Sequence, residues 1–338
     1  MVCSMGNYIK ILMVAITLVF MGCKDWLDVT PAGQATENDL FSTGSGYRSV
    51  LNGLYKSMGK PELYGRNWSY GMLDCMAQLY KLDDPGSFND EMCKVAAKYE
   101  YTNTQVAASI ESAWGIAYNI IANANDLLQN IEKASDDIFA EGEMERKMIM
   151  GEAYACRALI HFELLRLFAP ALVNDDGRTY IPYIESYPVL SASKLGVKPY
   201  LEKVIADLEK ARGLVAVYDT TVNGQGINLA GTGRFNNDFT YNYQTISGQQ
   251  IEGFDANLVD DFFKGRGYRM SYNAVTALLA RVCQYAGREQ EAFDYADEVV
   301  KAHVVFRDGS KNLMYKDDYS GLTQGWGNTE ESFNSRKD

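Results

Sequence analysis

Apolar residues recur at helical spacing along most of the chain. Tyr47, Val50, Leu51, Leu54, Tyr55 and Met58 fall at the i, i+3, i+4 intervals of one buried stripe, with Ser45 as the expected cap and Gly59 as the stop. A second helix is predicted through Ile110, Trp114, Ala117, Ile121, Ala124, Leu128 and Ile131. The strongest pattern runs from Met144 to Phe168, with Ile149, Ala153, Cys156, Ile160, Leu164 and Leu167 on one face, and Pro170 ends it because proline cannot continue a helix. Leu201, Val204, Ile205, Leu208 and Ala211 mark a fourth helix over 199–213. The last two, Met270–Ala286 and Glu289–Ala302, are parted only by Gly287-Arg288. Tyr180–Ile184 alone reads as a short extended piece. The predicted fold is all-α, with long loops at 59–104, 170–196 and 214–268.

The final helix pair invites a repeat test. A tetratricopeptide unit sets a large apolar residue and then a small one on its first helix, and a small one on its second helix twelve residues on, because small side chains let the two helices approach closely. Leu279-Ala280 and Ala292 keep that spacing, and Ala296 and Val299 are expected to continue the inner face. Met144–Phe168 and the 199–213 helix form a second such pair around a long insertion. Stacked pairs of this kind predict a superhelical scaffold of tetratricopeptide-like units that displays its loop insertions on one side.

The first residues change the picture. Lys10 precedes the apolar run Ile11–Met21, which is shorter than the roughly 20 residues a membrane-crossing helix needs but suits a secretory leader. Met21-Gly22-Cys23 resembles the lipobox of bacterial lipoproteins, so residues 1–22 are expected to be a signal peptide, with Met5 as an alternative start, and Cys23 the lipidated anchor. The net charge of −12 repels phosphates and argues against a nucleic-acid partner. Twenty-three tyrosines supply rings with an apolar face and a polar tip, which suit surfaces that stack on sugars or proteins. Cys156 and Cys283 sit on apolar helix faces; Cys75 and Cys93 flank a loop, and either pair in an oxidising compartment or stay as thiols.

No constellation for catalysis emerges. Of the two histidines, His161 lies inside the strongest helix and His303 at a helix end. No His/Cys/Asp grouping has metal-ligand spacing, and Gly224-Gln225-Gly226 and Gly231-Thr232-Gly233 lack the strand and third glycine of a dinucleotide loop. The sequence calls for no cofactor. The acidic pairs Asp83-Asp84, Asp175-Asp176, Asp260-Asp261 and Asp317-Asp318 read as turn residues, although a glycosidase also needs two carboxylates held across one bond.

Several segments, taken in order, resemble the SusD/RagB family of outer-membrane nutrient-uptake lipoproteins. They are Cys23-Lys24-Asp25-Trp26-Leu27-Asp28-Val29-Thr30-Pro31; Phe41 with Gly46-Tyr47 and Gly53-Leu54-Tyr55; Trp114, Tyr118 and Asn125; Arg157 through Phe168; and Ala277–Val282 with Ala292–Ala296. The resemblance implies a single helical domain over 23–338 that binds oligosaccharide or polysaccharide, sits over a TonB-dependent (SusC-like) transporter, and is held by its lipid to the outer membrane, facing outside. It also implies that the carboxy-terminal part of such a protein lies beyond Asp338.

A sugar site asks for an aromatic platform and planar amide or carboxylate partners for hydroxyls. The resemblance directs attention to the loop after the first helix, where Trp68, Tyr80, Asp83, Asp84, Phe88 and Asn89 offer both, although Trp68 reads equally as a core residue, with Tyr241 and Tyr243 in a later loop as further contacts. The alternatives are a surface scaffold that binds peptide or protein along its superhelix, and an all-α glycosidase.

Overall fold

A computed structural model describes residues 37–82, 90–229, 254, 259–305 and 311–313. Glu37–Leu40 is a single helical turn that falls in a different unit from the described chain beginning at Phe41.

In the larger unit α1 spans Gly44–Met58. Its cap is Thr43 rather than the expected Ser45: the Thr43 hydroxyl oxygen accepts from the Gly46 N–H at 3.1 Å, and Ser45 is drawn into the first turn. Tyr47, Leu51, Leu54 and Met58 are buried along it as the spacing predicts. Each such side chain is worth roughly 1.5–3 kcal/mol of burial. Two short helices follow, α2 (Met72–Met76) and α3 (Glu91–Ala96), in a region the sequence reads as loop. Each is under two turns, too short for a periodic signal to show.

The long helices are α4 (Thr104–Ile131), α5 (Gly142–Phe168) and α6 (Val197–Asp219). A helix α7 (Val222–Leu229), one turn at α8 (Asp261–Lys264) and the pair α9 (Tyr272–Tyr285) and α10 (Glu289–Lys301) are the other α-helices among the described residues from Phe41 onward. The helix α6 runs six residues past its expected end, and α7 extends the helical region further into what reads as loop. Ile181–Pro182 (β1) pairs antiparallel with Lys194–Leu195 (β2), so the extended piece at 180–184 is one arm of a small hairpin. His303–Val305 (β3) pairs with Lys311–Leu313 (β4) beyond α10.

Helices pack in the succession α1 on α4 and α5, α4 on α5, α5 on α6, α6 on α9, and α9 on α10. The two pairs α5–α6 and α9–α10 are thus stacked through α6 and α9, which is the tetratricopeptide-like arrangement. Leu279 and Ala292 are buried between the last two helices as expected, but Ala296 is exposed, and Tyr295 packs inward in its place. Gly151 shows why small residues matter here. A Cβ on it would stand 2.7 Å from Val215 Cγ1 and 2.9 Å from the Ala211 carbonyl oxygen, so α5 and α6 cross in direct backbone contact.

The helix α5 is buried nearly all round, and its polar residues are paired inside. Arg157 reaches Asp207 on α6 and Asn125 on α4, while Glu152 receives Arg266, Arg269 and the Tyr55 hydroxyl. Burial alone would raise the Glu152 carboxyl; the two guanidinium groups hold it below the usual carboxylate range. Arg266, fully buried, also pairs with Asp219. These bonds fasten the 260–272 segment onto α1, α5 and α6.

Candidate functional site

The chain between α1 and α2 coils through tight turns. The Trp68 N–H donates to Leu63 O at 2.8 Å and the Asn67 N–H to Pro61 O at 2.9 Å. Gly65 is required there, because a Cβ would lie 2.3 Å from the Gly59 carbonyl oxygen. This coiling turns Trp68 inward. Its ring meets Tyr64 edge-on at 5.8 Å and is only 7% exposed, so Trp68 is a core residue and not the open sugar platform expected of it.

Tyrosines take the exposed positions around α2 and α3 instead. Tyr70, Tyr99 and Tyr101 are 54%, 53% and 49% exposed. Tyr80, the other expected ring in this region, is half-buried against Cys75, Cys93 and Ala97. Its hydroxyl donates to Tyr70 O at 2.8 Å, and the Tyr99 hydroxyl donates to Met76 O at 2.9 Å. Tyr99 and Tyr101 lie 6.4 Å apart, centroid to centroid. The Gln78 side chain adds a bond to Ala97 O at 2.8 Å, and the Asp90 carboxylate caps α3 through the Cys93 N–H at 3.0 Å while receiving Arg66. The loop ends are therefore fixed, and rings with pinned hydroxyls lose little freedom when a ligand settles on them. Sequence reasoning passes over Tyr70, Tyr99 and Tyr101, because nothing in their local pattern separates an exposed ring from a packed one. Asp83, Asp84, Phe88 and Asn89, together with Tyr241, Tyr243 and the anchor Cys23, lie outside the described residues.

A second feature follows α4. Trp114, Tyr118, Ile184, Tyr187, Pro188 and Leu190 line a groove of about 410 Å³. Gln129 clasps the Tyr187 backbone at both ends, donating to its carbonyl at 2.6 Å and accepting from its N–H at 2.9 Å. Asn125 holds Ile184 O at 3.0 Å. The clasped segment thereby presents Leu190 fully to solvent.

His161 has no access to a substrate. It is fully buried, stacked on Tyr183 at 3.9 Å, with Nδ1 2.7 Å from the Tyr200 hydroxyl and Nε2 3.2 Å from Ile184 O, and burial lowers its pKa to about 3. Asp175 and Asp176 bind the N–H groups of Gly177 and Arg178 in an exposed turn. Asp260 accepts from Phe262 N–H and from Arg48. Among the described residues no His/Cys/Asp/Glu group is placed to hold a metal ion.

Residues 25–225 match the model of a SusD-like family described as starch-binding and associating with the outer membrane. The chain belongs to this SusD-like family. It is 27% identical over 209 residues to the SusD-like protein P2 of Formosa agariphila, an alignment that covers 60% of this chain and 37% of that relative. The chain spans less than half the length of the curated SusD-like proteins it matches. Among solved structures it is similar to a SusD superfamily protein of Bacteroides thetaiotaomicron, with 23% identity, a TM-score of 0.49, and coverage of 77% of this chain and 46% of that one. It is also similar to a laminarin-binding SusD-like protein, with 18% identity, a TM-score of 0.49, and coverage of 83% and 48%. No helix among the described residues is long and apolar enough to cross a membrane.

Proposed function

We propose that this SusD-like chain binds glycan at the cell surface without transforming it, and hands its ligand to a TonB-dependent outer-membrane transporter. Residues 1–22 act as the leader, Cys23 carries the lipid on the outward side of the outer membrane, and 23–338 form the helical binding domain. The observation that carries the reading is the set of tyrosines around α2 and α3, three of them open to solvent and two with hydroxyls fixed to backbone carbonyls. Rings so held offer apolar faces to the C–H faces of a sugar, and the acidic and amide residues of the adjoining 83–89 segment supply partners for its hydroxyls. The family's description as starch-binding supports the same ligand class.

The test is a panel of polysaccharides, starch and laminarin among them, run against the soluble chain beginning after Cys23. Retention by at least one glycan, with no release of reducing sugar, is the expected result; hydrolysis of a bound glycan would move the protein to the glycosidases. The groove along α4 favours one other reading, a peptide or protein partner, because its clasped rim places Leu190 and Tyr187 in solvent where a sugar would find few hydrogen-bond partners.

A further inference from the structure

Two of the four cysteines in the described part of the chain meet. Cys75 on α2 and Cys93 on α3 are both fully buried in a small cluster with Ala97, closed over by Tyr80, Leu82 and Met92. Their side chains share this one cluster, within reach of each other's electrostatic influence. Cys156 and Cys283 lie in the main core instead. The cluster of Cys75 and Cys93 is small and separate from that core. The helices also meet in a neighbouring apolar cluster, where Met72 and Met76 of α2 and Met92 and Ala96 of α3 pack against Val106 of α4, and polar bonds tie the rim, from Arg66 to Asp90 and from Gln78 to Ala97.

We infer that Cys75 and Cys93 form a disulfide in the exported protein, a covalent staple that closes the loop between α2 and α3. Small lobes with little core are where secreted proteins place such staples, and association with the outer membrane puts this family in a compartment where disulfides persist. In the reaction a thiolate of the pair attacks the disulfide of an envelope thiol–disulfide oxidase, giving a mixed disulfide. The second thiolate then displaces the oxidase sulfur. Two protons leave the cysteines, one S–S bond forms, and the oxidase takes the electron pair as its dithiol.

Burial sets when this happens. In the folded lobe neither sulfur touches solvent, and burial pushes the Cys93 thiol up to about 12, so the thiolate needed for exchange is scarce. Pairing therefore belongs to the moment of export, before the lobe closes, and the finished bond is shielded from reductant. The staple would fix the distance between the loop bearing Tyr80 and the turn bearing Tyr99. That consequence rests on the glycan reading, whereas the bond itself does not.

The test uses the full chain exported to a bacterial envelope, unfolded in an alkylating reagent without reductant, digested and weighed. The expected result is a linked pair of peptides carrying Cys75 and Cys93, two hydrogen atoms lighter than their sum, with Cys156 and Cys283 alkylated. Recovery of alkylated Cys75 and Cys93 as the main species would overturn the inference, whatever the protein binds. In a Cys75→Ser variant Cys93 should become alkylated; a Cys93 that stays protected there would mean another partner and would equally overturn it. Native protein exposed to dithiothreitol should keep the link until denaturant is added, and prompt reduction without denaturant would contradict the burial argument.

Discussion

Arg157 on α5 grips Asp207 on α6 with two parallel hydrogen bonds, Nε to Oδ2 at 2.8 Å and Nη2 to Oδ1 at 2.6 Å, in a site closed to solvent. The third guanidinium nitrogen, Nη1, donates to Asn125 Oδ1 at 2.6 Å, and Tyr183 donates its hydroxyl to Asp207 at 2.6 Å. One ion pair thus joins α4, α5, α6 and the β-hairpin insertion. Removing one partner leaves a charge buried without its counterion, which costs about 3–5 kcal/mol. Asp207→Ala should lower stability by that order in urea unfolding. A joint Arg157→Met, Asp207→Leu replacement should recover much of the loss, since a well-packed apolar pair is often no worse than a buried ion pair.

Glycines inside helices separate packing from propensity. Gly151→Ala places a methyl against Val215 and the Ala211 carbonyl, and is expected to destabilise by about 1–3 kcal/mol through forced separation of α5 and α6. Gly115 lies within α4 with nothing near its missing Cβ, so Gly115→Ala should stabilise by roughly 0.5–1 kcal/mol. Thermal midpoints of the two variants should move in opposite directions.

His161 gives the fold a pH dependence of known sign. Its pKa falls from 6.5 to about 3 on folding, so between those values the unfolded chain holds the extra proton, and stability falls as pH drops below 6.5. The groups facing the ring are the Tyr200 hydroxyl, the Ile184 backbone, Tyr183, Tyr118 and, by its charge, Arg157, none of which takes up a proton between pH 5 and 6.5. The slope expected there from this residue is up to about 1.4 kcal/mol per pH unit. A His161→Gln variant should show a shallower slope than the parent over pH 5–6.5; equal slopes would mean that the imidazole is not held neutral.

The long helices were legible because their apolar stripes follow from period alone. Even so, α5 was only half legible. Its stripe gave the helix, but the charged residues that flank the stripe, Glu145, Glu152, Arg157 and Glu163, are buried as well. Their partners, such as Asp207 and Arg266, lie 50 and 114 positions away, beyond the reach of any local pattern. The candidate site fared differently. Trp68, with polar neighbours, reads equally as platform or core in sequence; Gly65 lets the turns close, and the ring lies inward. Tyr99 has the opposite history: it sits just past α3 in a positive-φ conformation, which a reading of periodicity does not foresee, and that backbone turn accompanies its exposure. The clasp of Gln129 on Tyr187 joins residues 58 apart, so the α4 groove was likewise hidden.

The tyrosines around α2 and α3 are the proposed hold on glycan. Its most direct test is titration of the chain after Cys23 with the best glycan from the panel, comparing the parent with a Tyr99→Ala, Tyr101→Ala double variant of unchanged thermal midpoint. Loss of an anchoring aromatic contact is worth about 1–2 kcal/mol or more, so at least tenfold weaker binding is predicted. Unchanged affinity in the folded double variant would contradict the account.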